Sequence, residues 1–142
     1  IVGKGERKNN LLNYVRENDL NKYVQLINYT NNPYNLIKRS DIFILSSLYE
    51  GLPNVLLEAQ VLKTYIISSN CPTGPREILL NGKAGDLFNV GNYNQLSNLI
   101  TNYKKNKILN KKKIMTGYNN LSRFNYEKNL KKYFKEIKSL IN

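Results

Sequence analysis

The sequence contains no histidine and one cysteine, Cys71. An intramolecular disulfide is therefore excluded, as are His-containing zinc sites and catalytic triads that need an imidazole. The sequence contains no apolar run that approaches the roughly 18 residues needed to span a bilayer. The length of 142 residues predicts one domain. The absences predict that it is soluble, that it lies in a reducing cytoplasm, and that its chemistry rests on carboxylates, backbone amides and cations.

Acidic side chains are scarce in the last part of the chain. Residues 1–100 contain ten Lys and Arg against eight Asp and Glu, a net charge of +2, whereas residues 101–142 contain twelve against two, a net charge of +10. Basic blocks of this kind attract phosphate in nucleic acid or in anionic lipid. A solvated helix face explains them equally well, so both interpretations stay open.

Short apolar runs alternate with segments of helical periodicity. We predict strands at Val24–Ile27, Asp41–Leu45, Tyr65–Ser68 and Gly85–Phe88, and helices at Asn54–Lys63, Pro75–Leu80, Tyr93–Tyr103 and Ile108–Tyr118, with shorter ones around Leu11–Val15 and after Pro33. This order predicts the α/β class, a parallel sheet with helices on both faces. The first strand is already under way at Ile1, which leads us to expect a piece of a longer protein.

The tail ends in an amphipathic pattern. One apolar stripe contains Tyr126, Leu130, Tyr133, Phe134, Ile137, Leu140 and Ile141, and the opposite side contains Lys128, Lys131, Lys132, Lys135 and Lys138. The spacing predicts one helix. Its stripe either packs on protein or lies on an anionic membrane, and both alternatives stay open.

The segment that follows the predicted strand Asp41–Leu45 is the richest in candidate site residues. Ligands of open parallel sheets bind beyond the carboxyl ends of the strands. Gly51 permits backbone dihedrals that other residues resist, and Pro53 and Asn54 begin a helix. We expect the N–H groups of Asn54, Val55 and Leu56 to be free and to form a seat for a phosphate.

Glu58 lies on this helix. At 100° per residue it falls between Val61 and Leu62, away from a polar side that Gln60 and Lys63 mark. A carboxylate among apolar neighbours needs hydrogen-bond donors. The vicinal hydroxyls of a ribose would supply them, and so would a Lys or Arg of the fold.

Glu50 and Glu58, with seven residues between them, resemble the Glu-x7-Glu signature of the retaining glycosyltransferases of family 4, which have the two-domain GT-B fold. The resemblance extends to Asn32-Pro33-Tyr34, to residues 40–47, and to residues 71–79 with Gly82 and Gly85. It covers roughly residues 1–105. Gly3-Lys4-Gly5 lacks the third glycine of a dinucleotide fingerprint and is interpreted as a turn.

The resemblance implies that residues 1–142 are the carboxy-terminal, Rossmann-like donor-binding half of a GT-B enzyme, truncated at its start, with a basic helical tail over about 104–142. Glu50 would be catalytic, next to the anomeric centre of the donor sugar. Gly51, Leu52, Asn54 and Val55 would bind the sugar or diphosphate, Glu58 the ribose, and Asn28 and Tyr29 the base. The donor would be a nucleotide hexose, with UDP favoured, and neither a metal nor another cofactor would be needed.

The resemblance also implies partners and a location. The acceptor would be a glycan or a lipid-linked glycan in surface-polysaccharide or glycoconjugate synthesis, bound by an amino-terminal domain outside this sequence, so the fragment alone is expected to be inactive. The protein would be cytoplasmic, at the inner face of the membrane if the tail binds lipid. Two alternatives remain: a non-catalytic nucleotide-sugar-binding relative, and a basic nucleic-acid-binding module, which the lack of exposed aromatics between the basic residues disfavours.

Overall fold

The computed structural model describes residues 1–141 and divides them into two compact units. The first unit is Ile1–Pro33, and the second begins at Tyr34 and contains the rest of the described chain. The strands are β1 (Ile42–Leu45), β2 (Tyr65–Ser69) and β3 (Asp86–Phe88), and the α-helices are α1 (Lys8–Glu17), α2 (Tyr34–Arg39), α3 (Asn54–Val61), α4 (Pro75–Ile78), α5 (Tyr93–Tyr103), α6 (Lys107–Asn119) and α7 (Tyr126–Ile141). Leu20–Lys22 and Leu121–Phe124 form 3-10 turns.

The first unit contains α1 and one parallel bridge between Val2 and Ile27. Gly3 N–H donates to the Ile27 carbonyl (3.1 Å), and Ile27 N–H donates to the Ile1 carbonyl (2.8 Å). The prediction of a buried strand over Val24–Ile27 is therefore wrong. Because only the short segment Ile1–Gly3 lies beside this run, its backbone pairs at one position, and its side chains are at most half-buried.

The second unit is built on the parallel sheet that the sequence predicts. The strand order is β1-β2-β3, and both pairings are parallel, with Ile42 opposite Tyr65 and Ile67 opposite Asp86. All five residues of β2 are buried, which explains why this strand lacks the alternation of a half-exposed strand.

Alternate side chains of β2 pack into two core clusters, one on each face of the sheet. Ile66 packs in a cluster with residues of α2, α3 and α4, namely Ile37, Leu56, Ala59, Ile78 and the adjacent Leu79. Ile67 packs with Phe88 and with residues of α5 and α6, namely Leu96, Leu99, Ile100, Tyr103 and Ile114. Helices therefore cover both faces, as predicted.

Gln60 corrects the predicted orientation of α3. Gln60 is buried and Val61 is exposed, the reverse of the expected polar and apolar sides. The Gln60 side-chain amide donates to the Ile78 carbonyl (3.2 Å), and Gly117 of α6 packs so closely that a Cβ there would lie 2.8 Å from Gln60 Nε2. A second layer of helix thus covers the side of α3 that its own sequence marks as polar.

Asp86 ties the sheet to α6. Its carboxylate forms an ion pair with Lys113 and accepts a hydrogen bond from the Tyr65 hydroxyl at 2.7 Å. Burial and then the hydrogen bond to Asp86 raise the pKa of Tyr65 well above its ordinary value. The Tyr65 ring also stacks on Tyr103 at a centroid distance of 5.0 Å.

The raised pKa of Tyr65 predicts an alkaline loss of stability. The unfolded chain loses the tyrosine proton near pH 10 while the folded chain keeps it, so the contribution is complete below that pH and falls above it by up to about 1.4 kcal/mol per pH unit. Thermal unfolding measured against pH should show a shallower alkaline decline for Tyr65→Phe than for the unmodified protein. Parallel curves for the two proteins would contradict the assignment.

Candidate functional site

The segments that follow β1 and β2 meet at the carboxyl edge of the sheet. The Ser69 hydroxyl, at the end of β2, donates to the Ser47 carbonyl (2.6 Å), and the Ser47 hydroxyl donates to Glu50 Oε1 (2.6 Å). The Thr73 hydroxyl, after β2, donates to the Glu50 carbonyl. Hydroxyl groups from both strand ends therefore hold the backbone and the carboxylate of Glu50.

Gly74 brings the two segments into contact. Its φ is +79°, and a Cβ there would overlap the Gly51 carbonyl oxygen and lie 2.5 Å from Pro53 Cδ. Only glycine allows both this dihedral and this close approach. We name residues 47–53 the donor loop, because they contain the candidate ligand contacts and are held from one side by Thr73 and Gly74.

Helix α3 begins directly after the donor loop. Pro53 occupies the N-cap position and offers no side-chain acceptor to the first amides. The N–H groups of Asn54 and Val55 find no protein acceptor within residues 1–141, as expected, but Leu56 N–H donates to the Pro53 carbonyl at 2.9 Å. The prediction that Leu56 is also free is therefore wrong: a tight first turn satisfies it. Two amides and the positive end of the helix remain to bind an anion.

Glu58 lies half-buried one turn along α3. It lines a cavity of about 520 Å³ together with Tyr34, Asn54, Leu57, Val61 and Leu62. The structure thus brings Glu58 and Asn54 together beside largely apolar surface, and no ion-pair partner lies within 4.0 Å of Glu58 among residues 1–141. The alternative of a Lys or Arg of the fold that neutralises Glu58 loses its support.

Glu50 and Leu52 do not line the Glu58 cavity. Leu52 instead borders a second cavity of about 520 Å³ that Glu77, Arg123 and Tyr133 also line. The Glu50 and Glu58 motif predicts that both carboxylates open on one cleft, and this stays a prediction. Gly51 lies between Glu50 and Leu52, with open space where a side chain would extend.

Asn28 and Tyr29, the candidate base contacts, belong to the first unit. Lys8 Nζ donates to Asn28 Oδ1 (2.6 Å), and Lys4 Nζ lies 5.8 Å from the centre of the Tyr29 ring. The Gly3-Lys4-Gly5 turn also lines a small cavity of about 210 Å³ in that unit. Each of the two residues therefore lies beside one lysine, and lysine is a common phosphate-binding residue.

Sequence reasoning missed the roles of Ser69, Thr73 and Gly74 in holding the donor loop. The signal was present in the hydroxyl pairs Ser46-Ser47 and Ser68-Ser69, which end two neighbouring strands and so meet at one edge. Among residues 1–141, no group of three or more His, Cys, Asp or Glu side chains is arranged to hold a metal ion. Within the same residues, no helix has the length and apolarity needed to cross a bilayer.

Comparison with known proteins identifies the class. The family model of glycosyl transferases group 1 matches residues 1–120, and the chain belongs to this family. The chain is 34% identical over 137 residues to the UDP-Gal:α-D-GlcNAc-diphosphoundecaprenol α-1,3-galactosyltransferase of Escherichia coli, covering 92% of this chain and 35% of that protein. It is 46% identical over 79 residues to an uncharacterized glycosyltransferase of Methanocaldococcus jannaschii, covering 56% of this chain and 20% of that protein.

Solved structures of glycosyltransferases share the fold. The crystal structure of a mutant of Staphylococcus aureus TarM in complex with fondaparinux, α-GlcNAc-glycerol and UDP superimposes with a TM-score of 0.85 at 23% identity, over 95% of this chain and 28% of that one. The expected fold, one half of a GT-B glycosyltransferase, is confirmed. The chain spans only about a fifth to a third of the curated relatives described above.

The close packing of Gly74 predicts a specific sensitivity of the donor loop. Gly74→Ala should lower the melting temperature by several degrees, because the new Cβ displaces Gly51 and Pro53 in addition to a backbone strain of roughly 1–3 kcal/mol. Gly91→Ala is the matched control and should lower it less: its φ is +77°, but no atom of residues 1–141 lies within 4 Å of a Cβ there. Equal losses of melting temperature for the two variants, measured by differential scanning calorimetry, would mean that the contact does not hold the loop.

Proposed function

We propose that the chain is the carboxy-terminal, donor-binding domain of a retaining glycosyltransferase of family 4 that transfers a hexose from a UDP sugar. The observation that carries the proposal is the donor loop with Glu50 held by Ser47, followed by two amides of α3 and a Glu58 carboxylate that have no partner among residues 1–141. Two of the related proteins support the donor class, since the name of the E. coli relative contains UDP-Gal and TarM was crystallised with UDP.

The proposed roles follow from charge and position. The departing diphosphate gains negative charge as the glycosidic bond breaks, and the amides of Asn54 and Val55 at the positive end of α3 would stabilise it. Gly51 and Leu52 would add backbone contacts to the sugar or diphosphate. Glu50 would accept hydrogen bonds from sugar hydroxyls near the anomeric carbon. In this proposal no metal or other cofactor takes part.

Glu58 would bind the ribose of the donor. An unpaired carboxylate can accept hydrogen bonds from both ribose hydroxyls at once, and the apolar walls of the Glu58 cavity suit the face of a sugar ring. Asn28 and Tyr29 would flank the base. The remaining alternative, a relative that binds a nucleotide sugar without transferring it, differs from the proposal only in the acceptor step.

We place the whole protein in the cytoplasm at the inner face of the membrane, with a glycan or lipid-linked glycan as acceptor. The E. coli relative supports this class, because its name describes a diphosphoundecaprenol acceptor. The structure adds a physical argument: none of the residues of α7 is buried, so its apolar stripe and its lysines are both available to an anionic lipid surface.

The donor proposal predicts different kinetic effects for the two glutamates in the full-length protein. Glu58→Gln should raise the KM for the UDP sugar about tenfold or more, since each hydrogen bond to a charged acceptor contributes roughly 1.5–3 kcal/mol. Glu50→Ala should mainly lower kcat, because its contacts lie next to the reacting carbon. Glu127→Gln, which removes a carboxylate from α7, should change neither constant. Small, equal effects at Glu50 and Glu58 would reduce the motif to a structural role.

The donor and the stereochemistry can be tested directly. A panel of nucleotide sugars should raise the melting temperature of the full-length protein, with a UDP hexose most effective. NMR of the product should show the same anomeric configuration as the donor. Binding without turnover on any acceptor would favour the non-catalytic alternative, and an inverted anomer would exclude a retaining mechanism.

The membrane part of the proposal has its own test. Reversal of Lys131, Lys132 and Lys135 to Glu should abolish sedimentation of the full-length protein with anionic vesicles at low salt if α7 is the contact, since each well-placed lysine contributes about 1 kcal/mol. If the reversed protein still sediments, α7 is not the lipid contact.

A further inference from the structure

The turn that joins α5 to α6 combines exposed aliphatic side chains with a dense group of lysines. We name residues 104–112 the α5–α6 corner. Ile108 is 90% exposed and Leu109 is 49% exposed in the first turn of α6. The corner also contains five lysines, at positions 104, 105, 107, 111 and 112. We propose that this corner docks the protein on an anionic lipid surface, with Ile108 and Leu109 in the interface and the lysines on the headgroups.

This inference rests on the membrane part of the proposed function and assigns the contact to a surface other than α7. Isolated exposed apolar residues are common on proteins. Here, however, two adjacent aliphatic side chains stand at one turn within a group of cations, which is the composition of an interfacial anchor. Lysine stems can also extend past an apolar contact to reach the headgroup phosphates.

The charge of the corner is not neutralised by the chain around it. No acidic residue occurs in the sequence between Asp86 and Glu127. Asp86 is already paired with Lys113, which lies just beyond the corner. Asp41 lines the same cavity as Lys104, Lys107 and Lys111, but among the described residues it forms no ion pair with any of them within 4.0 Å.

That cavity is itself amphipathic. Its volume is about 620 Å³, and its apolar lining is Ile42, Ile100, Ile114 and Tyr103, whose ring is packed against Tyr65. Lys104, Lys107 and Lys111 contribute its cationic groups. An apolar floor beside lysines matches a phospholipid, which carries an anionic headgroup and acyl chains on one molecule.

Contacts with α5 and β2 fix the position of the corner relative to the sheet. Asn110 is buried, and its side-chain amide donates to the Tyr103 carbonyl at 2.6 Å. Tyr103 in turn stacks on Tyr65, the first residue of β2. The corner therefore lies at the amino edge of the sheet, and the donor loop lies at the carboxyl edge. Lipid contact at the corner leaves the donor loop uncovered.

A nucleic acid is the less favoured occupant. Proteins that bind single strands stack bases on aromatic side chains between the cations. The exposed tip of the corner is aliphatic, and no aromatic residue occurs between Tyr103 and Tyr118. Aliphatic side chains gain from an acyl environment but offer no face on which a base can stack.

The test uses the full-length protein in sedimentation with phosphatidylcholine vesicles, with and without phosphatidylglycerol. In the corner variant, Lys104, Lys107 and Lys111 are changed together to Gln. The matched control has the same change at three exposed lysines outside the tail, Lys22, Lys38 and Lys83. The corner variant should bind the anionic vesicles at least about tenfold more weakly than the control. Turnover of the donor with a soluble acceptor should be unchanged in both.

A second pair of variants separates insertion from charge. Ile108→Ser should weaken vesicle binding about fivefold to tenfold and make it fully reversible by salt, because it removes buried CH₂ groups and keeps every charge. Val90→Ser, at an exposed apolar position outside both the corner and α7, is its control and should not change vesicle binding. Circular dichroism would verify that all four variants are folded.

The outcomes distinguish a lipid contact at the α5–α6 corner from membrane binding by another part of the protein. If both corner variants bind vesicles like the unmodified protein while the α7 reversal abolishes binding, the corner inference is wrong and the membrane proposal stands. If the unmodified protein does not bind anionic vesicles at all, both are wrong, and the donor assay still decides the glycosyltransferase proposal. If the lysine variant loses single-stranded RNA binding but not vesicle binding, the corner is a nucleic-acid contact.

Discussion

The hydrogen bonds between the end of β2 and the segment after β1 are the constraint on which the candidate site depends. Parallel neighbours end at the same edge, so Ser69 can donate to the Ser47 carbonyl while Ser47 donates to Glu50. The Glu50 carboxylate is thereby held before any ligand arrives. Such preorganisation matters where a group must face developing charge or a reacting carbon, since no binding energy is then spent on ordering it. Gly74 completes the arrangement, because any side chain there would displace the loop.

The core explains why this edge can be rigid in such a small sheet. β2 is buried along its whole length, with α2, α3 and α4 packed on one face and α5 and α6 on the other. On the face that α5 and α6 cover, Asp86 joins β3 to the first residue of β2 through Tyr65 and to α6 through Lys113. With both faces covered and the strands fixed, their carboxyl ends can hold loops rather than contribute to the core.

The helices and the three paired strands could be predicted from the sequence because each is decided locally, by periodicity or by a short apolar run. Tyr93–Tyr103 and Tyr126–Ile141 have the predicted bounds. The strand predicted at Val24–Ile27 could not be decided locally, since a strand forms only where a second strand pairs with it. Only Ile1–Gly3 lies beside this run, and these three residues give a single bridge. Gln60 was misjudged because the helical period describes one helix and contains no information about α6, which covers it. In the site, the spacing of Glu50 and Glu58 and the free amides of α3 could be predicted from the sequence. The contacts of Thr73 and Gly74 could not, because they form between loops that are distant in sequence.

The polarity of a parallel sheet also separates two kinds of chemistry in this chain. The carboxyl edge collects glutamates, hydroxyls and helix amides, which suit a polyhydroxylated, phosphorylated ligand. The amino edge, where α5 ends and α6 begins, contains lysines and aliphatic side chains. Residues 101–142 supply a net charge of +10 out of the total of +12. Because α5 follows the last strand and runs back along the sheet, a basic turn placed after it falls at the edge opposite the donor loop. A contact there could hold the protein at a surface without competing for the ligand, since the two sites are built from different ends of the same strands.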